Sequence, residues 1–198
     1  MNDLTSVSAA ATQQAPPMPP VELPPLPDRF APQVAAELGW GGTVLPPMVV
    51  LGRRVIIVAE LLENVHRDRV LRGWDPVTDR VSVQTWAWPE LAATAPDPAV
   101  RITGVIASAR HWRTALTCAA PFVGISATAM LLPPGPARDA HCLSQAEFYG
   151  AAVVATAERD LVDLVQPGRG GRLATAGSTT ITRWVHEVVY DRLVSEAL

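Results

Sequence analysis

AVRITGVIASARHWRTALTCAAPFVGISATAMLL, residues 99–132, decides the fold. Val100 to Ala107 is rich in β-branched residues and reads as a strand. Ala109 to Ala120 places Trp112, Ala115, Leu116 and Ala119 at helical spacing, and Pro121 closes it. Gly124 to Leu132 is a nearly continuous apolar run, the pattern of a strand buried on both faces. Strand, helix and strand in this order form a βαβ unit, with parallel strands and a right-handed crossover.

The same stretch has to be tested against a membrane span. No charged residue lies between Arg113 and Arg138, and a bilayer takes about 20 apolar residues. Pro121 falls where a spanning helix would have to continue, at a cost of about 3 kcal/mol or more. Gly124, Ser126, Thr128, Pro133 and Pro134 break the run further. Helix end, turn and buried strand account for this punctuation, so the expectation is a protein with no membrane segment.

Working outward toward the C-terminus, Pro136 opens a helix that Gly150 closes, and Ala151 to Thr156 is a further apolar strand, completing βαβαβ. Leu161 to Val165 follows a turn. A final amphipathic helix, capped by Ser178 or Thr179, carries Ile181, Trp184, Val185, Val188, Val189 and Leu193 on one stripe. Toward the N-terminus, Asp28 to Leu38 reads as a helix stopped by Gly39. Met48 to Leu51 and Val55 to Ala59 read as a strand pair around Gly52, although Val55 to Val65 also fits a helical stripe; the run Val55-Ile56-Ile57-Val58 favours the strand. Arg69 to Trp74 and Arg80 to Trp88 flank a proline-containing turn, and in the second arm Val81, Val83, Thr85 and Ala87 alternate with Ser82, Gln84, Trp86 and Trp88, so the pair reads as a β-hairpin. The expected class is therefore α/β (or α+β): one domain over residues 28–198 with a mixed sheet, an N-terminal β-hairpin region, βαβαβ and a C-terminal helix.

Residues 1–27 read as a disordered, proline-rich arm. Seven of the 19 prolines fall between Pro16 and Pro27, in runs that favour polyproline II. Such an arm serves as a solvated tail, a tether or a ligand for an aromatic groove.

All 16 basic residues are arginine, so a Walker-A loop, a lysine Schiff base and a kinase strand lysine are all excluded. A net charge of −3 gives no general attraction to phosphate backbones. Cys118 and Cys142 make neither a disulfide framework nor a zinc site, and no secretory leader is evident, so a cytoplasmic setting is expected. The four histidines show no ligand spacing, and no metal or other cofactor is expected.

Ligands of open α/β sheets gather at the carboxyl ends of parallel strands. That rule selects Ser108, Arg110, His111 and Arg138 as a weak anion site, though Ser108 also reads as a plain helix cap. Cys142 shares a stripe with Leu143, Ala146 and Tyr149 and reads as a buried thiol rather than a nucleophile paired with His141.

Trp74, Trp86, Trp88 and Trp40 stand out, because tryptophan dominates interface hot spots. The first three are the candidate partner-binding residues, either as a ridge on the hairpin or as one side of the core. The leading reading is a non-catalytic adaptor or assembly protein that binds a protein partner or itself. A second reading comes from Glu60, Glu63, Asp68, Asp75 and Asp79 around the hairpin. With the helix-strand-strand-strand-helix-strand order, the region is loosely similar to the restriction-endonuclease-like core. That resemblance implies an acid and then an acid-x-lysine pair on adjacent strands. Gln84-Thr85-Trp86 offers no acid and the chain no lysine, so the likeness is one of fold and the site would be degenerate. Nucleic acid would then be met by Arg53, Arg54, Arg67, Arg69 and Arg72.

Overall fold

The computed structural model describes residues 28–158, 161–174, 177 and 179–196. The proline-rich arm and Ser178 lie outside them.

After a 3-10 turn at Asp28–Phe30 comes α1 (Ala31–Glu37). Its end is set by Gly39 at φ +65°: Gly39 N–H donates to Ala36 O, and Trp40 N–H to Ala35 O, at 2.8 Å. This Schellman turn needs a left-handed residue. Strands β1 (Thr43–Val44) and β2 (Met48–Val50) both pair antiparallel with β3 (Arg53–Leu61), leaving Pro46 and Pro47 between them, where the ladder loses its donors. The expected strand pair around Gly52 is present, and Val55 belongs to a strand.

An insertion separates β3 from β4 (Val100–Ser108). It holds α2 (Glu63–Leu71), α3 (Arg80–Thr85) and a 3-10 turn at Ala92–Thr94. The hairpin expected over 69–88 is corrected here: both arms are helical. Asp79 takes the N–H and the hydroxyl of Ser82, each at 2.7 Å, and that cap outweighs the alternation of Val81 and Val83.

β4, α4 (Trp112–Ala119), β5 (Ala127–Leu132), a short α5 (Pro134–Ala137), α6 (Ala140–Tyr149) and β6 (Ala152–Thr156) form the parallel unit. The single helix expected from Pro136 to Gly150 is two, because Asp139 caps a new start by accepting from Cys142 N–H at 3.0 Å. β7 (Val162–Gln166) returns antiparallel to β6, and α7 (Thr180–Glu196) is capped by Thr179. The sheet order is β1-β3-β4-β5-β6-β7, with β2 also on β3. It is a mixed sheet in an α/β fold. No helix among the described residues is long and apolar enough to cross a membrane.

Alternation along the strands divides the core between the two faces. Val55, Ile57 and Ala59 pack with Val185, Val189 and Leu193 of α7, while Met130, Leu132, Val153 and Ala155 pack with α4 and α6. Ile56, Val58, Ile106, Ala129 and Leu131 turn to the other face, under α1.

Candidate functional site

The insertion is fastened to α7 by an ion pair. Arg69 and Glu187 are each 1% exposed and meet through two parallel bonds, Nη1 to Oε1 at 2.9 Å and Nη2 to Oε2 at 2.8 Å. Arg69 also donates to Trp74 O and Asp75 O, Glu187 accepts Val77 N–H at 3.0 Å, and the guanidinium lies over the Tyr190 ring. Trp184 Nε1 donates to Thr78 O at 2.7 Å. Together these bonds hold residues 74–79 against α7.

The held loop forms one wall of a groove of about 520 Å³, lined by Trp74, Asp75, Pro76, Val77, Trp86 and Pro96. Two of the three tryptophans singled out from the sequence therefore share a concave surface, although no hairpin presents them. Trp74 is 41% exposed, with Arg72 over its ring, and Trp88 is 60% exposed on the turn after α3. Trp86 is half-buried and faces the Arg183 guanidinium. Hydrogen bonds from the Ser82 side chain and backbone hold the Asp79 carboxyl below its usual range, so the cap of α3 is in place at neutral pH. The remaining tryptophans have other work: Trp40 packs beneath α1, and Trp112 stacks on His141 with ring planes 15° apart.

Of the four weak anion candidates, His111 alone is in the lining of the hollow at the carboxyl ends of β4 and β5. Arg138 is held by Asp163 at 2.6 Å, Arg110 and His111 are exposed, and Ser108 Oγ is shielded from solvent with no hydrogen-bond partner. No imidazole is placed to take the Ser108 proton. The hollow, of about 570 Å³, is lined by His111, Trp112, Arg113, Gly135, Pro136 and Asp139.

Cys142 is fully buried, and burial, followed by the charge of Asp139, pushes its thiol pKa up. That is the reverse of what a nucleophile needs. A thiol-reactive disulfide reagent is expected to label Cys118, which is half-buried, while Cys142 reacts only on unfolding. Equal fast labelling of both native thiols would contradict this.

Of the five arginines proposed for nucleic acid, one is buried and two are paired with carboxylates. Arg69 is withdrawn into the core pair and cannot reach a phosphate. Arg54 is paired with Asp28 and Arg72 with Asp68. Arg53 and Arg54 open β3, whereas Arg67 and Arg72 follow its far end, and nine residues of strand span roughly 26 Å. No group of three or more acidic, histidine or cysteine residues that could hold a metal ion occurs among the described residues. No protein-family model, curated protein or solved structure matches the chain.

Two groups escaped sequence reasoning: the Arg69–Glu187 pair and the Arg183 guanidinium against Trp86. Glu187 left no trace, because it falls roughly 160° round α7 from Val185 and Val189 and so off their apolar stripe; only the structure shows it buried.

Proposed function

We propose that the protein is a non-catalytic interaction or assembly protein and that its partner surface is the insertion between β3 and β4. One observation carries this reading. Val70, Leu71, Trp74, Val81 and Trp88, all exposed large apolar side chains, fall within nineteen residues of the insertion. Leu71 is 80% exposed and Trp88 60%. Scattered exposed apolar residues are ordinary, but a concentration that includes tryptophans marks a surface for protein contact. The clamp to α7 fits the reading, since it holds that surface rigid at some cost in buried charge. The scattered reactive groups around Ser108, His111 and Cys142 weigh against catalysis. A cytoplasmic setting fits the two free cysteines.

The test replaces Trp74 and Trp88 together with alanine. The change is expected to abolish self-association in sedimentation, or a complex recovered from the native host, and to move the melting temperature by no more than about 2 °C. Both residues are exposed, and surface changes stay within about 0.5 kcal/mol. A wild-type protein that is monomeric at high concentration and recovers the same proteins as the variant would defeat the reading.

A further inference from the structure

The groove between Trp74 and Trp86 has a mostly apolar bed, with Val77 and Pro96 in its lining. Its edges carry both signs of charge. Asp75 and Asp79 belong to the lining, while Arg72 covers the Trp74 ring at 4.9 Å and Arg183 faces Trp86 at 5.3 Å. A strongly charged occupant would meet its own sign on one side, so the groove selects a neutral, apolar chain.

The sequence carries such a chain. Residues 16–27 read PPMPPVELPPLP and hold two copies of Pro-Pro-x-Pro with an apolar third residue, Pro16-Pro17-Met18-Pro19 and Pro24-Pro25-Leu26-Pro27. No charged residue occurs from Leu4 to Val21. Polyproline II repeats every third residue, so Pro16 and Pro19 would form one ridge and Pro17 and Pro20 another. Aromatic-lined grooves take up ridges of this kind, because a chain already extended loses little entropy on docking.

Length decides between the two copies. Asp28, where the arm joins the domain, is bound to Arg54 near the start of β3 at 2.9 Å, and the insertion leaves from the far end of that strand. The seven steps from Arg54 to Leu61 cover about 23 Å. Four residues, Pro24 to Pro27, span only about 12 Å in polyproline II, and the twelve from Pro16 to Pro27 span about 37 Å. The second copy is too close to Asp28 to reach the groove, whereas the first reaches it with Val21 to Pro27 as its tether.

We propose that Pro16–Pro20 lies in the Trp74–Trp86 groove of the same molecule and covers part of the contact surface, so that a partner has to displace it. The inference rests on the reading of the insertion as that surface and adds its regulation.

Fluorescence anisotropy with a labelled peptide of residues 16–27 tests it. The peptide is titrated into the full chain and into a full chain in which Pro16, Pro17, Pro19 and Pro20 are each replaced by alanine, changes that leave the domain untouched. A tethered segment competes at an effective concentration on the order of 1 mM, so the alanine chain should bind the peptide about tenfold more tightly than wild type. Adding Trp74→Ala to the alanine chain should remove that binding, and a peptide with the same four prolines replaced by alanine should not bind. Trp88 is outside the groove lining, so adding Trp88→Ala should leave peptide affinity unchanged. The inference is overturned if neither chain binds the peptide at about 1 mM, or if both bind it alike. Self-association that is lost on the four proline substitutions would seat the arm of a second copy in the groove and overturn the assignment to the same molecule. Loss of partner binding in the Trp74→Ala/Trp88→Ala protein without any peptide binding keeps the contact surface and removes the arm from it. Peptide binding as expected, with every complex unchanged in that variant, keeps the arm in its groove and removes the contact surface instead.

Discussion

Glu187→Ala is expected to destabilise the protein by about 3–5 kcal/mol, the usual cost of leaving one member of a buried ion pair without the other. The arrangement supports the upper part of that range. Arg69 would keep its charge at 1% exposure with only the Trp74 and Asp75 carbonyls to bond, and Val77 N–H would lose its acceptor. A domain of this size has about 5–15 kcal/mol in total, so the variant should unfold at a much lower urea concentration, or fail to fold at 37 °C. Replacing both partners by apolar residues, Arg69→Met with Glu187→Leu, removes the stranded charge and should recover part of the loss. Recovery will be incomplete, because the carbonyls of residues 74 and 75 and the amide of Val77 are then left unmatched. Urea midpoints of the three proteins decide the matter. A loss below about 1 kcal/mol for Glu187→Ala would mean that water enters and the pair is not buried in solution. The same variant bears on function, since the clamp sets the wall of the Trp74–Trp86 groove.

The insertion that this pair fastens is also where sequence reasoning failed, and the two facts have one cause. Along β4, α4, β5, α6, β6 and α7 apolar side chains face the core at the period of the local structure, and each of those elements was legible to within a few residues. α2 inverts the rule. Its one buried side chain is Arg69, while Val70 and Leu71 point to solvent, so a search for an apolar stripe finds no helix there. α3 carries Val81 and Val83 two apart, which is a strand's spacing, yet Val81 is exposed and Val83 buried only because Asp79 starts a helix two residues earlier. A short polar cap decided a six-residue element that propensity would have assigned otherwise. The tryptophans were visible as residues but not as neighbours. Trp74 and Trp86 come together through the buried pair, the Thr78 carbonyl and α7, over a hundred residues further along the chain.

The second large effect concerns Trp40, which the sequence placed beside the candidate interface residues and the structure packs, half-buried, against the core under α1. Gly104 stands in the middle of β4, and a Cβ there would overlap the Trp40 ring. The Schellman turn at Gly39 sends the chain from α1 onto the sheet, where the ring occupies the space that the missing side chain leaves. Thr103 fixes the approach by donating to Gly41 O at 2.7 Å. Gly104→Ala therefore forces the ring off the strand and is expected to cost about 2–3 kcal/mol, toward the upper end of the overpacking range. Ordinarily the same change in a strand interior would gain about 0.5–1 kcal/mol from reduced backbone freedom. The sign of the effect consequently depends on Trp40. In a Trp40→Ala background, itself destabilised by the lost ring, adding Gly104→Ala should be neutral or slightly stabilising. The double-mutant cycle then shows a coupling of about 2 kcal/mol or more, as expected for residues in direct contact. Additive effects of the two substitutions in guanidinium unfolding would show that the ring does not rest on Gly104, and the packing of α1 on this face would need another account.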